Sequence, residues 1–308
     1  MRLLFFGSGD FAVPCLEGLC NGRHEVAAVV TQPDRPRGRG RQPAPTPVKH
    51  WASSRGLDVL RVDDVNAPEI VDRLFTQRAA VGVVVAFGQK IGSALLGGLP
   101  SGLINLHASL LPRHRGAAPI HCAILAGDTV TGVTVFRLTD RMDAGPVLTQ
   151  VETPIGPLET AEELHDRLAL LGPEALAAAL ASLEATPPST GQAQNESLAT
   201  RAPKLSKNDG ALDFGQPAEM LARRIRGLWS WPGARCRFCS ADGGRDEIVT
   251  MARAEAVEDE GAGRGPHGQR RSWRYGRFRG GSVAGGLHRD RSYAWRGRDV
   301  LRGVVRPA

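Results

Sequence analysis

The chain lacks a long apolar run: VGVVVAFG, at residues 81–88, is far too short to cross a bilayer. It also lacks a leader pattern, because one Arg and four apolar residues are not followed by an extended apolar region or a small-residue cleavage site. Cysteine is sparse, and the five present (Cys15, Cys20, Cys122, Cys236 and Cys239) make no even disulfide framework. These absences predict a reduced, cytoplasmic protein with no membrane contact. Cys236 and Cys239 have the spacing C-x-x-C, but no second Cys pair or His pair accompanies them. That favours two ordinary strand residues over a zinc or redox site.

Lysine is absent from residues 261–308, which hold twelve Arg against two Asp, a local charge of +10. The whole chain carries +7, so its first 260 residues carry −3. General basicity is therefore no argument for nucleic acid, and each basic cluster has to stand alone.

What is present is an alternation of strand-like and helix-like segments up to about residue 185. RLLFFG, EVAAVVTQ, VGVVVAFG, GLINLHAS and TGVTVFRL read as strands. A segment from about Ala12 to Leu19, PVKHWASSRG, APEIVDRLFTQRA and APIHCAILAGD read as helices. TAEELHDRLALL and PEALAAALASLEA read as two helices split by Gly172-Pro173. This order predicts an α/β fold, a Rossmann-like doubly wound parallel sheet with helices on both faces. The domain expected for it is 1–187, followed by a linker at 188–205 that includes TPPSTGQAQNES, and a smaller β domain at 206–308.

GSGDFA, at 7–12, fits G-x-G-x-x-G/A directly after a strand, with Gly7, Gly9 and Ala12 on the template. The turn is expected, but whether a nucleotide occupies it depends on the rest of the chain. Ligands of such sheets sit at the carboxyl ends of the strands, where INLHASLLPRHRGAAPIH stands out. Asn105 and His107 are two apart on a strand and share a face. An amide donor beside an imidazole can hold a developing oxyanion. Asp143, in RMDAGP after the strand TGVTVFRL, is the natural third group, able to orient His107 and raise its pKa. Taken one by one, however, these residues equally suit a solvated strand end and a turn.

Together, NLHASLLPRHRGAAPI and Asp143 resemble the signature of the 10-formyltetrahydrofolate-dependent formyltransferases. The resemblance implies that Asn105, His107 and Asp143 are catalytic, that no metal takes part, and that the first turn binds no dinucleotide. It assigns folate binding to Ser109, Leu110, Leu111 and Pro112 and to the strand end Phe87, Gly88 and Gln89. Three further stretches point to the branch that formylates methionyl initiator tRNA. TQPDRPRGRGRQPAPTPVK resembles that branch's tRNA-entering loop, with Arg35, Arg37, Arg39, Arg41 and Lys49 against Asp34. Its local charge of +4 suits phosphate and base-edge contacts. RAPKLSKNDGALDF resembles the crossing into the second domain, with Lys204 and Lys207 near the tRNA 3′ end. RRIRGLWSWPGA resembles the entry into a barrel similar to the oligonucleotide-binding fold. A monomer working on folate and tRNA is expected.

The chain departs from the family at two places. Thr139 and Arg141 stand where an acidic residue and a glycine are usual, with Asp140 as a possible substitute. From 259 to about 290 the sequence is Gly- and Arg-rich with little apolar periodicity, so weak packing is expected there, up to a family-like helix at YAWRGRDVLRG. A segment read out of frame and a natural RNA-binding extension both explain this composition. Translation in the other two frames separates them. The rival functions are formylation of an amino sugar nucleotide or purine precursor, and a non-catalytic RNA-binding relative.

Overall fold

The structure, a computed structural model, describes residues 1–37, 42–186, 188–239, 246–256, 276–279 and 292–294. The chain forms two compact units: 1–119, 130–154 and 165–202 make the first, and 120–129, 155–164 and 203–308 the second.

The first unit is built on seven strands: β1 (Arg2–Gly7), β2 (Glu25–Thr31), β3 (Val59–Arg61), β4 (Val81–Val85), β5 (Leu103–His107), β6 (Val130–Arg137) and β7 (Val147–Pro154). Their order in the sheet is β7-β6-β5-β4-β1-β2-β3. β4 is buried at every position, as its unbroken apolar sequence requires of a strand covered on both faces. Helices α1 (Val13–Asn21), α2 (Pro47–Ser54), α3 (Pro68–Thr76) and α4 (Ser93–Gly98) lie between the strands, and α5 (Pro119–Ala126) falls between β5 and β6 in the chain. Phe5, Phe6, Leu3 and Leu4 of β1 are fully buried at the centre of the sheet.

Five strands are parallel: β1, β2, β4 and β5 as expected, and β3, which was not expected. β6, expected to be parallel, runs antiparallel to β5, and the further strand β7 antiparallel to β6. The sheet is therefore mixed. The link from Arg137 to Val147 is too short for the crossover that parallel neighbours need. A second difference concerns helix α6, which runs unbroken over Ala161–Glu184 with Pro173 inside it. Pro173 removes a helical hydrogen bond, yet the buried face (Leu168, Leu176 and Leu180 among others) holds the helix together. Gly172 serves close approach: a Cβ there would lie 2.3 Å from Cys15 Sγ.

The segment expected as a linker is instead part of the first unit as far as Ala202. Val147 and Gln192 exchange two main-chain hydrogen bonds of 2.8 Å. Arg201–Ala202 pairs in parallel with Arg115–Gly116.

The second unit contains helix α7 (Ala218–Gly227) and an antiparallel pair, Ala234–Cys239 with Asp246–Met251. Ala222, Ile225, Ala234, Met251 and Ala254 form its small core. A three-stranded sheet joins Glu255–Ala256, Gly276–Arg279 and Ser292–Ala294. Tyr293 and Ala294 are thus in a strand, where a helix was expected from their sequence. The rest of the expected tail, including most of the 259–290 stretch, lies outside the described residues. Among the described residues no helix is long and apolar enough to cross a membrane.

Candidate active site

The strand order reverses direction between β1 and β4, which makes their carboxyl ends the crevice where such sheets take ligands. The first turn is there, but its donors are spent. The N–H groups of Ser8 and Gly9 both donate to the Ala86 oxygen, at 3.2 and 3.3 Å. The Ser8 hydroxyl donates to the Phe87 oxygen, and the Gln32 amide donates to the same oxygen at 2.9 Å. A pyrophosphate would have to break these bonds to gain its own.

One strand further along, β5 brings out Asn105 and His107. Asn105 is half-buried, level with Val84 on one side and Phe136 on the other. His107 is buried, and its ring is held at Nε2 and faces a carboxylate at Nδ1. Nε2–H donates to the main-chain oxygen of His114 at 2.8 Å, since a carbonyl can only accept. Nδ1 is 3.8 Å from Asp143 Oδ2, too far for a direct hydrogen bond but close enough for strong electrostatic coupling. The sequence motif and the loop after β6 therefore do meet.

Burial lowers the pKa of His107 and outweighs the Asp143 charge and the His114 hydrogen bond, which act the other way. The Asp143 charge acts upward, as expected, but burial decides the net direction. The resting ring is neutral at neutral pH, with Nε2 protonated and the Nδ1 lone pair turned toward Asp143. Such a ring can take a proton at Nδ1, and the imidazolium formed would stand beside a carboxylate.

Asp143 itself has φ +50°, a left-handed backbone uncommon outside glycine. Its Oδ2 accepts from the Gly116 N–H at 2.8 Å, and its main-chain oxygen accepts from Gln194 Nε2 at 2.9 Å. Gln194 also bonds the Gly145 oxygen at 2.7 Å, and its own oxygen accepts from Arg115. Glu196 then ties Arg115 to Arg141, each at 3.0 Å. The Arg115 guanidinium holds the Glu196 carboxyl below its ordinary range. Arg141, one of the two departures from the family pattern, is thus absorbed into an ion pair, and Thr139 donates to the Arg141 oxygen.

The expected folate residues are mostly committed to shaping the site. The Ser109 hydroxyl donates to the Arg113 oxygen at 2.6 Å, and the Ser109 oxygen accepts from Thr134. Leu110 is half-buried and Leu111 buried. The Leu111 N–H donates to Thr134, and the Pro112 oxygen accepts from Thr200. The Phe87 ring is in the core against Phe6, and Gly88 has φ +81°. The Gln89 side chain is bound to the main chain of Val62 and Val65. Thr134 was not expected in this role. Its signal was a polar residue inside a mostly buried strand, a signal Thr131 of the same strand shares.

Of the basic loop, Arg35 and Arg37 lie in a two-stranded ribbon, Arg35–Arg37 with Gln42–Ala44. Arg39 and Arg41 lie outside the described residues. Lys49 is paired with Asp34 at 2.7 Å, so it anchors the base of the loop. Lys204 and Lys207 belong to the second unit and are exposed. Among the described residues no group of three or more His, Cys, Asp or Glu could hold a metal ion. Burial pushes the Cys236 thiol up to about 11, which makes it inert near neutral pH.

The "Formyl transferase" family model matches residues 1–180, and the "Formyl transferase, C-terminal domain" model matches 204–274. The methionyl-tRNA formyltransferase of Solibacter usitatus is 48% identical over 238 residues, 77% of this chain and 76% of the relative. That of Moorella thermoacetica is 42% identical over 278 residues, 86% of this chain and 89% of the relative. Among solved structures, the sugar 3N-formyl transferase WlaRD aligns with a TM-score of 0.63. The alignment covers 91% of this chain and 94% of WlaRD at 15% identity, a likeness of fold. The chain belongs to the formyl transferase family, on the branch of the methionyl-tRNA formyltransferases.

Proposed function

We propose that the chain transfers a formyl group from 10-formyltetrahydrofolate to the α-amino group of methionyl initiator tRNA. The observation that carries this reading is the convergence of Asn105, His107 and Asp143 at one strand end, in a chain whose relatives bear that activity's name.

The free amine attacks the formyl carbon, and the carbonyl electrons move onto its oxygen. Asn105, through its amide N–H, stabilises that oxyanion. His107 accepts the amine proton at Nδ1, and the resulting imidazolium is stabilised by Asp143. Collapse restores the carbonyl and breaks the bond to the folate nitrogen, which leaves with a proton. The products are formylmethionyl-tRNA and tetrahydrofolate. Positioning and oxyanion stabilisation each supply several kcal/mol, with one good donor worth about 3 kcal/mol. The formyl group is already activated by its folate nitrogen, so the step needs no metal.

The arginines of 35–41 supply phosphate contacts for the acceptor arm, and Lys204 and Lys207 supply further ones from the 206–308 region and its approach. A small acceptor would give no reason for this charge.

The test is direct. The protein is incubated with 10-formyltetrahydrofolate and methionyl initiator tRNA, with an amino sugar nucleotide and a purine precursor amine as competing acceptors. Formyl label on the tRNA-bound methionine is expected. Label on a small acceptor alone would overturn the reading, and no transfer at all would favour a non-catalytic relative.

A further inference from the structure

We infer that Gln194 is a positioning residue for the His107–Asp143 pair, acting from a segment whose composition reads as linker. The role rests on the catalytic reading of that pair given above.

The carboxamide of Gln194 has two donor hydrogens and one acceptor oxygen, and all are engaged. Nε2 donates to the Asp143 oxygen at 2.9 Å and to the Gly145 oxygen at 2.7 Å. Oε1 accepts from Arg115 Nε at 3.1 Å and from Nη2 at 2.7 Å. The amide cannot be turned over without opposing like groups, because guanidinium only donates and carbonyls only accept. Arg115 is in turn held by Glu196.

What Gln194 holds is a turn that would not keep its shape unaided. Asp143 occupies the left-handed region, and a Cβ on Gly145 would fall 1.8 Å from the Arg137 oxygen. Backbone of this kind is strained and persists only where its surroundings impose it. Two hydrogen bonds to carbonyls of the same turn, from one rigid amide, are such an imposition. The same segment reaches the other member of the pair. Thr200 accepts from the His114 N–H at 2.8 Å through its hydroxyl, donates to the Pro112 oxygen, and accepts from the Arg115 N–H. His114, the residue whose oxygen receives the His107 ring, has φ +58°. Residues 194–200 thus clamp the partner of each ring nitrogen.

The consequence is electrostatic. The groups facing the His107 ring are the Asp143 carboxylate, which favours its protonation, and His114, whose main-chain oxygen does the same while its own ring opposes. If Gln194 is lost, Asp143 drifts from 3.8 Å, and the imidazolium loses its stabilising charge. A side chain that merely supported the fold would leave the ring's titration where it was.

The experiment uses the full chain with isotope-labelled histidine, in wild type, Gln194→Ala and Gln194→Glu. The glutamate variant keeps the size and the acceptor toward Arg115 but removes both donors. The His107 ring is followed by NMR against pH, assigned by its loss in His107→Gln, beside steady-state kinetics. Gln194→Ala is expected to move the His107 midpoint down by about half a pH unit or more, with the other histidines unmoved; Gln194→Glu brings a carboxylate of its own and is read through kcat. Both variants are expected to lower kcat about ten-fold while KM for folate and tRNA stays within about two-fold. An unmoved His107 midpoint in Gln194→Ala would overturn the proposal. If the wild type itself transfers no formyl group, the functional reading fails, yet the titration still decides whether Gln194 positions the pair.

Discussion

The Gly116 N–H donates to Asp143 Oδ2 at 2.8 Å, joining two loops 27 residues apart. Gly116 can do so only as glycine, with φ +126° and space for a Cβ filled by the Ala202 oxygen at 2.5 Å. Gly116→Ala should therefore cost about 1–3 kcal/mol of stability through backbone strain and lower kcat by about ten-fold or more. Urea unfolding and formyl transfer at saturating substrate measure the two effects separately. Wild-type kcat in a folded Gly116→Ala protein would show that this bond does not orient the carboxylate.

On the proposed oxyanion role of Asn105, Asn105→Ala should reduce kcat by about two orders of magnitude, near 3 kcal/mol. Its KM for charged tRNA should hardly move. Steady-state formylation at varied tRNA concentration checks both. Turnover near that of the wild type would remove the oxyanion assignment.

Stability should fall with acid in two stages. His107 and His24 are both lowered by burial, so the unfolded chain binds more protons than the native one below its own histidine pKa of about 6.5. Stability conferred by the neutral rings is present above that pH and is lost as pH falls toward the native values. The carboxyls of Glu163 and Asp213 are depressed, so their contribution is lost only below the ordinary carboxylate range. Thermal unfolding from pH 8 to 5 should show a steady loss below about 6.5, and His107→Gln should flatten it. An equal slope in both proteins would mean that His107 is not a buried neutral group.

Replacing Arg35, Arg37, Arg39 and Arg41 by Ala should raise KM for tRNA and leave folate binding intact. For every phosphate no longer neutralised, the slope of log affinity against log salt should shrink by about 0.9 on a duplex arm. Lys49→Ala should do less, since Lys49 is already spent on Asp34. Equilibrium binding at several salt concentrations decides this, and an unaltered tRNA titration would detach the ribbon from substrate choice.

How much of this could be read beforehand follows from what patterns encode. Asn105 and His107 were legible because strand alternation puts them on one face, and Asp143 because it follows the next polar strand end. Four of the parallel strands were legible from their apolar runs; β3, three residues long with Arg61 at its end, was not. The antiparallel β6 and β7 were not, since periodicity carries no direction; the short Arg137–Val147 link sets β7 against β6 alone. Gly172-Pro173 read as a break because local propensity ignores what packs against it, here Cys15. Gln194 left no trace, as its partners are main-chain oxygens 51 and 49 residues away. Composition even pointed the other way, toward a tether.

That tether has a practical bearing on where the polypeptide tolerates a cut. A fragment ending at residue 187, the natural choice from composition, would keep Asn105, His107 and Asp143 while discarding Gln194, Thr200 and the strand paired with Gly116. Proteolytic nicking at 188–193 would leave the helices and the sheet whole and still loosen the contact between His107 and Asp143. Conversely, length changes at Pro203, beyond the last paired residue, spare every contact described for that segment. The boundary between scaffold and joint, for anyone building chimaeras of this enzyme, falls some fifteen residues later than its chemistry-free sequence suggests.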